Sequence, residues 1–337
     1  MRARLADIAA QAGVSEATVS RVLNGRPGVA EATRQAVLTA LDVLGYERPS
    51  RLRRRSAGLV GLVVPELTNP IFPAFVQVIE TALARHGYTP VLCTQTPGGV
   101  HEDDYTELLL DGSVSGIVFV SGVHADTLAD HRRYRQLVER GLPLVLVNGH
   151  ADDVDAPSVS CDDHAAGALA VRHLVDLGHT RIGLAVGPDR FVPAIRKAAG
   201  FREAMASLVG AGEPCIERSL FTVEGGQAAA ARLVDQGCTA VVCGSDLMAL
   251  GAVRAVRSRG LRVPQDVSVI GYDDSVLIAF TDPPLTTLRQ PVQDMGEAAV
   301  RALVDEICGQ PAPRAEYVFL PELVVRGSTG SAPRRHR

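Results

Sequence analysis

Residues 5–24 read LADIAAQAGVSEATVSRVLN, and this stretch decides how the amino-terminal part of the chain folds. Ile8, Ala9 and Ala12 stand at i, i+1 and i+4, so a first helix can bury one narrow apolar face. Gly13 tolerates positive φ at the point where that helix must stop. Ser15 suits the N-cap of a second helix, whose buried side is Val19, Val22 and Leu23. Glu16, Ala17, Ser20, Arg21 and Asn24 then face outward: short side chains that can approach base edges, plus one long cationic fork. The pattern is that of a helix-turn-helix whose second helix enters a DNA major groove. An ordinary helical hairpin has the same apolar spacing and stays the alternative on these residues alone.

Major-groove chemistry assigns provisional roles. Arg21 can fork onto guanine O6 and N7, Glu16 can accept from cytosine N4, and Ala17 can touch a thymine methyl. Ser15, Thr18, Ser20 and Asn24 suit phosphate contacts or helix capping. Arg4 and Leu5, at the start of the first helix, complete the expected DNA-contacting set of the head. A third helix is expected over 31–44, burying Ala36, Val37, Ala40, Leu41 and Leu44 against the other two. The unit 1–47 is read as the DNA-binding domain.

Charge is distributed to match. Residues 1–57 hold ten Arg and five acidic side chains, net +5, so the remainder carries −9 of a total of −4. A basic head on an acidic body fits a nucleic-acid contact confined to one end, although a solvated charge run has the same signature. Residues 48–57 form a basic hinge, in which Arg51, Arg53, Arg54 and Arg55 are expected on phosphates. A flexible linker that never orders remains the alternative there.

From residue 58 the pattern changes to alternating strands and helices. Strands are expected at 59–64, 89–93, 116–120, 143–147 and 158–161, with helices near 71–86, 103–111 and 126–140. A second run repeats the plan, with strands at 181–185, 215–220, 239–243 and 267–272. Its helices are expected at 163–177, 195–209, 225–235 and 247–259. Repeated βα units imply α/β lobes of doubly wound parallel sheets, two in number, with a ligand cleft at the carboxyl ends of the strands.

The text A-x-x-A-G-V-S-x-x-T-V-S-R-V-L-N resembles the DNA-binding heads of the lactose-repressor/galactose-repressor (LacI/GalR) family. GLVVPELTNPIFPAFVQVIE, LGHTRIGLAVGP, CGSDLMALGA, LRVPQDVSVIGYDD and PLTTLRQP extend that resemblance over nearly the whole chain. The resemblance implies a periplasmic-binding-protein-like core of type I, whose chain crosses between lobes three times. Lobe 1 would be 58–159 and 290–319, and lobe 2 would be 160–289 and 320–330, followed by a disordered tail at 331–337. It also implies a hinge leucine wedged into the minor groove. Leu52 is the match, though Pro49 shortens the hinge relative to the usual pattern.

Strand-end loops supply the expected effector site. These are Asn69, Ile71 and Phe72 after the first strand, Asn148 after the fourth, and Asp162 before the first helix of lobe 2. Phe191, Arg196, Phe221, Asp246, Asp273 and Gln290 complete the set. Aromatic faces with Asp, Asn and Arg suit a polyhydroxylated ligand such as a sugar or nucleoside. Asp273 has a second reading as a helix cap. The resemblance supports Asp246, Asp273, Phe221 and Phe72, and matches the 191–193 stretch poorly.

Other chemistry is unsupported. Cys161 and His164 lack a third catalytic group, the histidines lack metal-ligand spacing, and Gly225-Gly226 lacks the frame of a phosphate cradle. No enzyme activity, cofactor or metal is expected. Six cysteines without a C-x-x-C pair read as buried thiols of a reducing cytoplasm. With no apolar leader and no membrane-length run, a cytoplasmic location is expected. The reading is a ligand-responsive repressor acting as a homodimer on operator DNA. A transport solute receptor and an enzyme on the same doubly wound fold are the rivals.

Overall fold

The computed structural model describes residues 4–23, 26, 28–46, 56–95, 99–210 and 212–333. They divide into two compact units, 1–55 and 56–337.

In the first unit, α1 (Leu5–Ala12), α2 (Glu16–Leu23) and α3 (Glu31–Val43) pack around Ile8, Ala9, Val19, Val22, Val37 and Ala40. Asp7 Oδ2 accepts the Arg4 N–H at 2.7 Å, which holds the start of α1. Gly13, at φ 66°, ends it. Ser15 Oγ accepts the Thr18 N–H at 3.2 Å, the expected cap of α2. Ala36 is a correction: it is exposed, because the buried face of α3 runs through Val37, Ala40, Leu41 and Leu44, the i, i+3, i+4, i+7 set.

The second unit holds two six-stranded sheets. Its elements are β1 (Leu59–Val64), α4 (Ile71–Arg85), β2 (Thr89–Thr94), α5 (Glu102–Asp111), β3 (Gly116–Val120), α6 (Arg132–Glu139), β4 (Leu144–Val147) and β5 (Ser158–Cys161). There follow α7 (Asp163–Asp176), β6 (Ile182–Val186), α8 (Val192–Leu208), β7 (Cys215–Arg218), α9 (Val223–Asp235), β8 (Ala240–Cys243), α10 (Asp246–Ser258) and β9 (Ser268–Asp273). The last elements are β10 (Thr286–Arg289), α11 (Val292–Ile307), β11 (Glu316–Phe319) and β12 (Glu322–Val324). Sheet one has the order β11-β5-β4-β3-β1-β2 and sheet two β12-β10-β9-β8-β6-β7. Among the described residues every pairing of strands is parallel except β10 with β12. The central strands β3, β4, β6, β8 and β9 are buried along their whole length, as parallel strands covered on both faces must be.

The backbone passes between the sheets three times: after β5, after β10, and between β11 and β12. β5 keeps Ser160 and Cys161 in sheet one. One cluster of buried apolar side chains runs from Val60 of sheet one to Leu288 of sheet two.

The helix expected over 126–140 is shorter than its apolar spacing indicated. Asp126 Oδ1 accepts the Leu128 N–H (3.1 Å) and Asp130 Oδ1 accepts the Arg132 N–H (2.8 Å). These local bonds divert backbone donors from a helix, so α6 begins only at Arg132. Cys308 and Cys215 are also corrected: Cys308 is exposed at the end of α11 and Cys215 is half-buried, whereas Cys93, Cys161, Cys238 and Cys243 are buried. Within the expected tail, the Ala332 N–H donates to the Leu177 carbonyl at 2.9 Å, so the described part is attached. Residues 334–337 lie outside the described residues. No helix among the described residues is long and apolar enough to cross a membrane.

Candidate functional site

Two surfaces have the chemistry for recognition, one in each unit. On the head, α2 exposes Glu16, Ala17 and Arg21, with Ser15 exposed just before it. Thr18 and Ser20 are half-buried, and Arg4 is exposed. Leu5 is half-buried against the head core, so its side chain contributes packing. Asn24, Arg51, Leu52, Arg53, Arg54 and Arg55 lie outside the described residues. The exposed face of α2 is short and polar, as insertion into a groove about 12 Å wide requires.

In the second unit a cavity of about 410 Å³ opens at the carboxyl ends of the strands of both sheets. Asn69, Ile71 and Phe72, from the loop after β1 and the start of α4, form part of its wall. Asn148 stands just beyond β4, at φ 60°. Phe191 and Phe221, in the segments after β6 and β7, face it from lobe 2. Asp273 at the end of β9 and Gln290 at the second crossing are also on the wall.

Three expected residues are not on that wall. Asp162 caps α7, its Oδ1 accepting the Ala165 N–H at 2.8 Å. Arg196 forms a two-bond ion pair with Glu316, at 2.6 and 2.9 Å, which ties α8 of lobe 2 to the edge strand β11 of sheet one. Asp246 Oδ2 accepts the Ser275 N–H and hydroxyl, each at 2.7 Å, and its Oδ1 accepts the Thr287 hydroxyl at 2.7 Å. Burial nevertheless pushes the Asp246 carboxyl up to about 6.

Asp273 carries the strongest signature of function. Its φ of 121° lies in the region that favours glycine. The Gln290 amide donates to Oδ1 at 2.8 Å, while the buried Oδ2 has no partner among the described residues. Burial, followed by the nearby Asp246 charge, raises its pKa well above the usual carboxylate range. A buried carboxyl oxygen left unpaired costs about 1–3 kcal/mol, and a ligand hydroxyl in the cavity can pair with it, whichever of the two carries the donated proton.

Sequence reasoning missed the group beside it. Lys197 is buried on α8, and its Nζ donates to Asp163 Oδ1 at 2.6 Å. The Tyr272 hydroxyl donates to the same oxygen at 2.7 Å, and Lys197 Nζ lies 3.8 Å from the Tyr272 ring centroid. Asp163, Lys197 and Tyr272 all line the cavity. A signal was available: Lys197 is the single lysine among 34 basic residues. At the mouth, the Thr127 N–H donates to the Arg190 carbonyl at 2.8 Å, and Arg190 Nε faces Asp126 Oδ2 at 3.4 Å. Aromatic faces beside a few convergent polar groups can hold a ligand with both apolar ring faces and hydroxyls. The described residues contain no group of three or more side chains arranged to hold a metal ion.

Comparison with known proteins accords with both surfaces. Residues 4–49 match the bacterial regulatory proteins of the lacI family, and 171–329 match the periplasmic binding protein-like domain. The chain is 67% identical to the HTH-type transcriptional regulator reg1 of Streptomyces lividans, over 99% of this chain and 98% of that protein. It is similar to the solved transcriptional regulator CelR–cellobiose complex, with 34% identity and a TM-score of 0.72, over 97% of this chain and 100% of that one. The lac repressor dimer bound to operator and the anti-inducer ONPF is also similar, at 29% identity and a TM-score of 0.71, over 98% and 100% of the two chains.

Proposed function

The chain belongs to the LacI family of bacterial regulatory proteins, and on that premise we propose that it is a repressor released or recruited by a sugar bound in the cavity of its second unit. It is a DNA-binding transcriptional regulator; the effector class, the homodimer and the residue roles are our reading. The observation that carries the effector class is the unpartnered Asp273 Oδ2, set among Phe72, Phe191 and Phe221 on the wall of one cavity. Ring faces stack on the aromatics, while hydroxyls satisfy Asp273, Asn148 and Gln290. The ligand named with the CelR complex, a disaccharide, supports a sugar over a nucleoside.

Two heads of a homodimer would reach half-sites about one helical turn apart. Arg21, Glu16 and Ala17 read bases, and Arg4, Ser15, Thr18 and Ser20 hold phosphates. Asn24, Arg51 and Arg53 join the phosphate contacts, with Leu52 as the minor-groove wedge. The domain organisation we adopt keeps the divisions at 47, 57, 289 and 319 and moves the first crossing from 159 to 161, the end of β5, and the cytoplasm is the compartment. Effector control requires that the ligand bind one arrangement of the lobes more tightly than the other, typically by 1–3 kcal/mol.

The test is retention of operator DNA by the full-length protein over a salt series, with cellobiose, maltose, ribose or cytidine present or absent. The expected result is a steep fall of affinity with salt and a several-fold shift with one of the sugars. A salt slope near zero rejects the DNA reading. A shift by cytidine alone rejects the sugar.

A further inference from the structure

Beneath the sheet-one wall of the cavity lies a buried carboxylate that ligand binding by Asp273 and Gln290 leaves unused. Glu102, the first residue of α5, is 3% exposed. Its Oε2 accepts the Val123 N–H at 3.1 Å and the Gln95 amide at 3.2 Å. Its Oε1 accepts the Tyr134 hydroxyl. That hydroxyl accepts the His124 N–H at 3.0 Å. Two consecutive backbone donors of the Val123–Ala125 turn are therefore held by side chains from α5 and α6. Gly122 completes the fit, since a Cβ there would stand 2.4 Å from Glu102 Oε2. Gln95, Gly122 and Val123 all line the cavity.

An ionised carboxylate only accepts hydrogen bonds. In the structure the Gln95 NH2 group is turned to Glu102, an assignment that gives Gln95 its carbonyl Oε1 to offer the cavity it lines. We propose that Glu102 is a positioning residue of the binding site: it anchors the turn that forms one wall, and it orients Gln95 so that the Gln95 carbonyl accepts from a ligand hydroxyl. This assignment rests on the cavity being the effector site. It adds a specificity rule, because a hydroxyl satisfies that carbonyl and an ether oxygen or fluorine at the same place leaves it unpaired.

The test uses the full-length protein with Glu102→Gln, Gln95→Met and the double variant. The first readout needs no ligand. Amide hydrogen exchange at Val123 is expected to quicken about tenfold in Glu102→Gln, the equivalent of one lost hydrogen bond. Unchanged exchange there overturns the anchoring role. Should Glu102→Gln fail to fold, Tyr134→Phe is read at His124 in the same way. The second readout is calorimetric titration with cellobiose, maltose and ribose. For a sugar that binds the natural protein, each single variant is expected to weaken affinity about tenfold, and the two losses to be less than additive. Additive losses overturn the orientation of Gln95. If none of the three sugars binds, the effector reading fails, and the exchange result alone decides the role of Glu102.

Discussion

The head and the cavity present their candidate recognition side chains in opposite ways. In the head, Glu16, Ala17 and Arg21 are exposed and belong to one short helix. In the cavity the polar groups are buried and arrive from distant segments: Asp163 meets Tyr272 across 109 residues and Lys197 across 34. An exposed recognition face can change without disturbing the fold that carries it. A buried polar cluster cannot, because each member is also a partner that another member needs.

The largest expected effect tests that contrast directly. Lys197→Met leaves the Asp163 carboxylate without its cation in a buried setting and is expected to destabilise the second unit by about 3–5 kcal/mol, read by urea unfolding. Lys197→Arg keeps the charge and is expected to lose less. An unchanged urea midpoint for Lys197→Met would break the comparison. Arg21→Ala comes next: about 1–3 kcal/mol of specific operator affinity is lost, with relaxed preference at one base pair, in a fluorescence-anisotropy titration at fixed salt. Its unfolding curve should overlay that of the natural protein. A lower unfolding midpoint would mean that Arg21 serves the head's fold as well.

The smallest effect, read as a slope per pH unit, sharpens the buried side of the contrast. His124 is wholly buried, and that burial lowers its pKa from 6.5 to about 3. The unfolded chain therefore takes up this proton from about pH 6.5 downward, while the folded protein does not. His124 thus favours the folded state above pH 6.5, and the advantage is lost as pH falls toward 3, by about 1.4 kcal/mol per pH unit. Equilibrium unfolding of His124→Asn against pH should show a shallower acid slope by one proton. An identical slope would place the acid sensitivity elsewhere, with His179 the next candidate, since burial lowers it too.

Legibility in the sequence followed the same divide. The head was readable because its helices, caps and exposed face are set by residues within a few positions of one another. Strand and helix positions in the body were readable from continuous apolar runs and from helical periodicity. The carboxyl-terminal elements β10, α11, β11 and β12 were not anticipated as strands or a helix; the family resemblance gave only the return of 290–319 to one lobe and of 320–330 to the other. The helix start at Arg132 was misplaced, because side-chain bonds from Asp126 and Asp130 are invisible to hydrophobic periodicity. At the cavity, aromatic and amide residues after strand ends were found, whereas Lys197 and Asp163 read as ordinary helical positions. Arg196 was one position from Lys197 and had the right charge; only the fold shows that it turns to Glu316.

By itself the sequence determined the helix-turn-helix face, the two runs of βα units and the strand-end origin of the cavity. Each depends on spacing along the chain, and spacing is what periodic burial reads. The tertiary structure alone decided which acids and bases meet, which carboxyl oxygen is left unpaired, and that Asp246 and Arg196 hold the frame away from the cavity wall. Those outcomes depend on distances between segments far apart in sequence. No local propensity records them, since the energy of a buried charge is set by its neighbours in space.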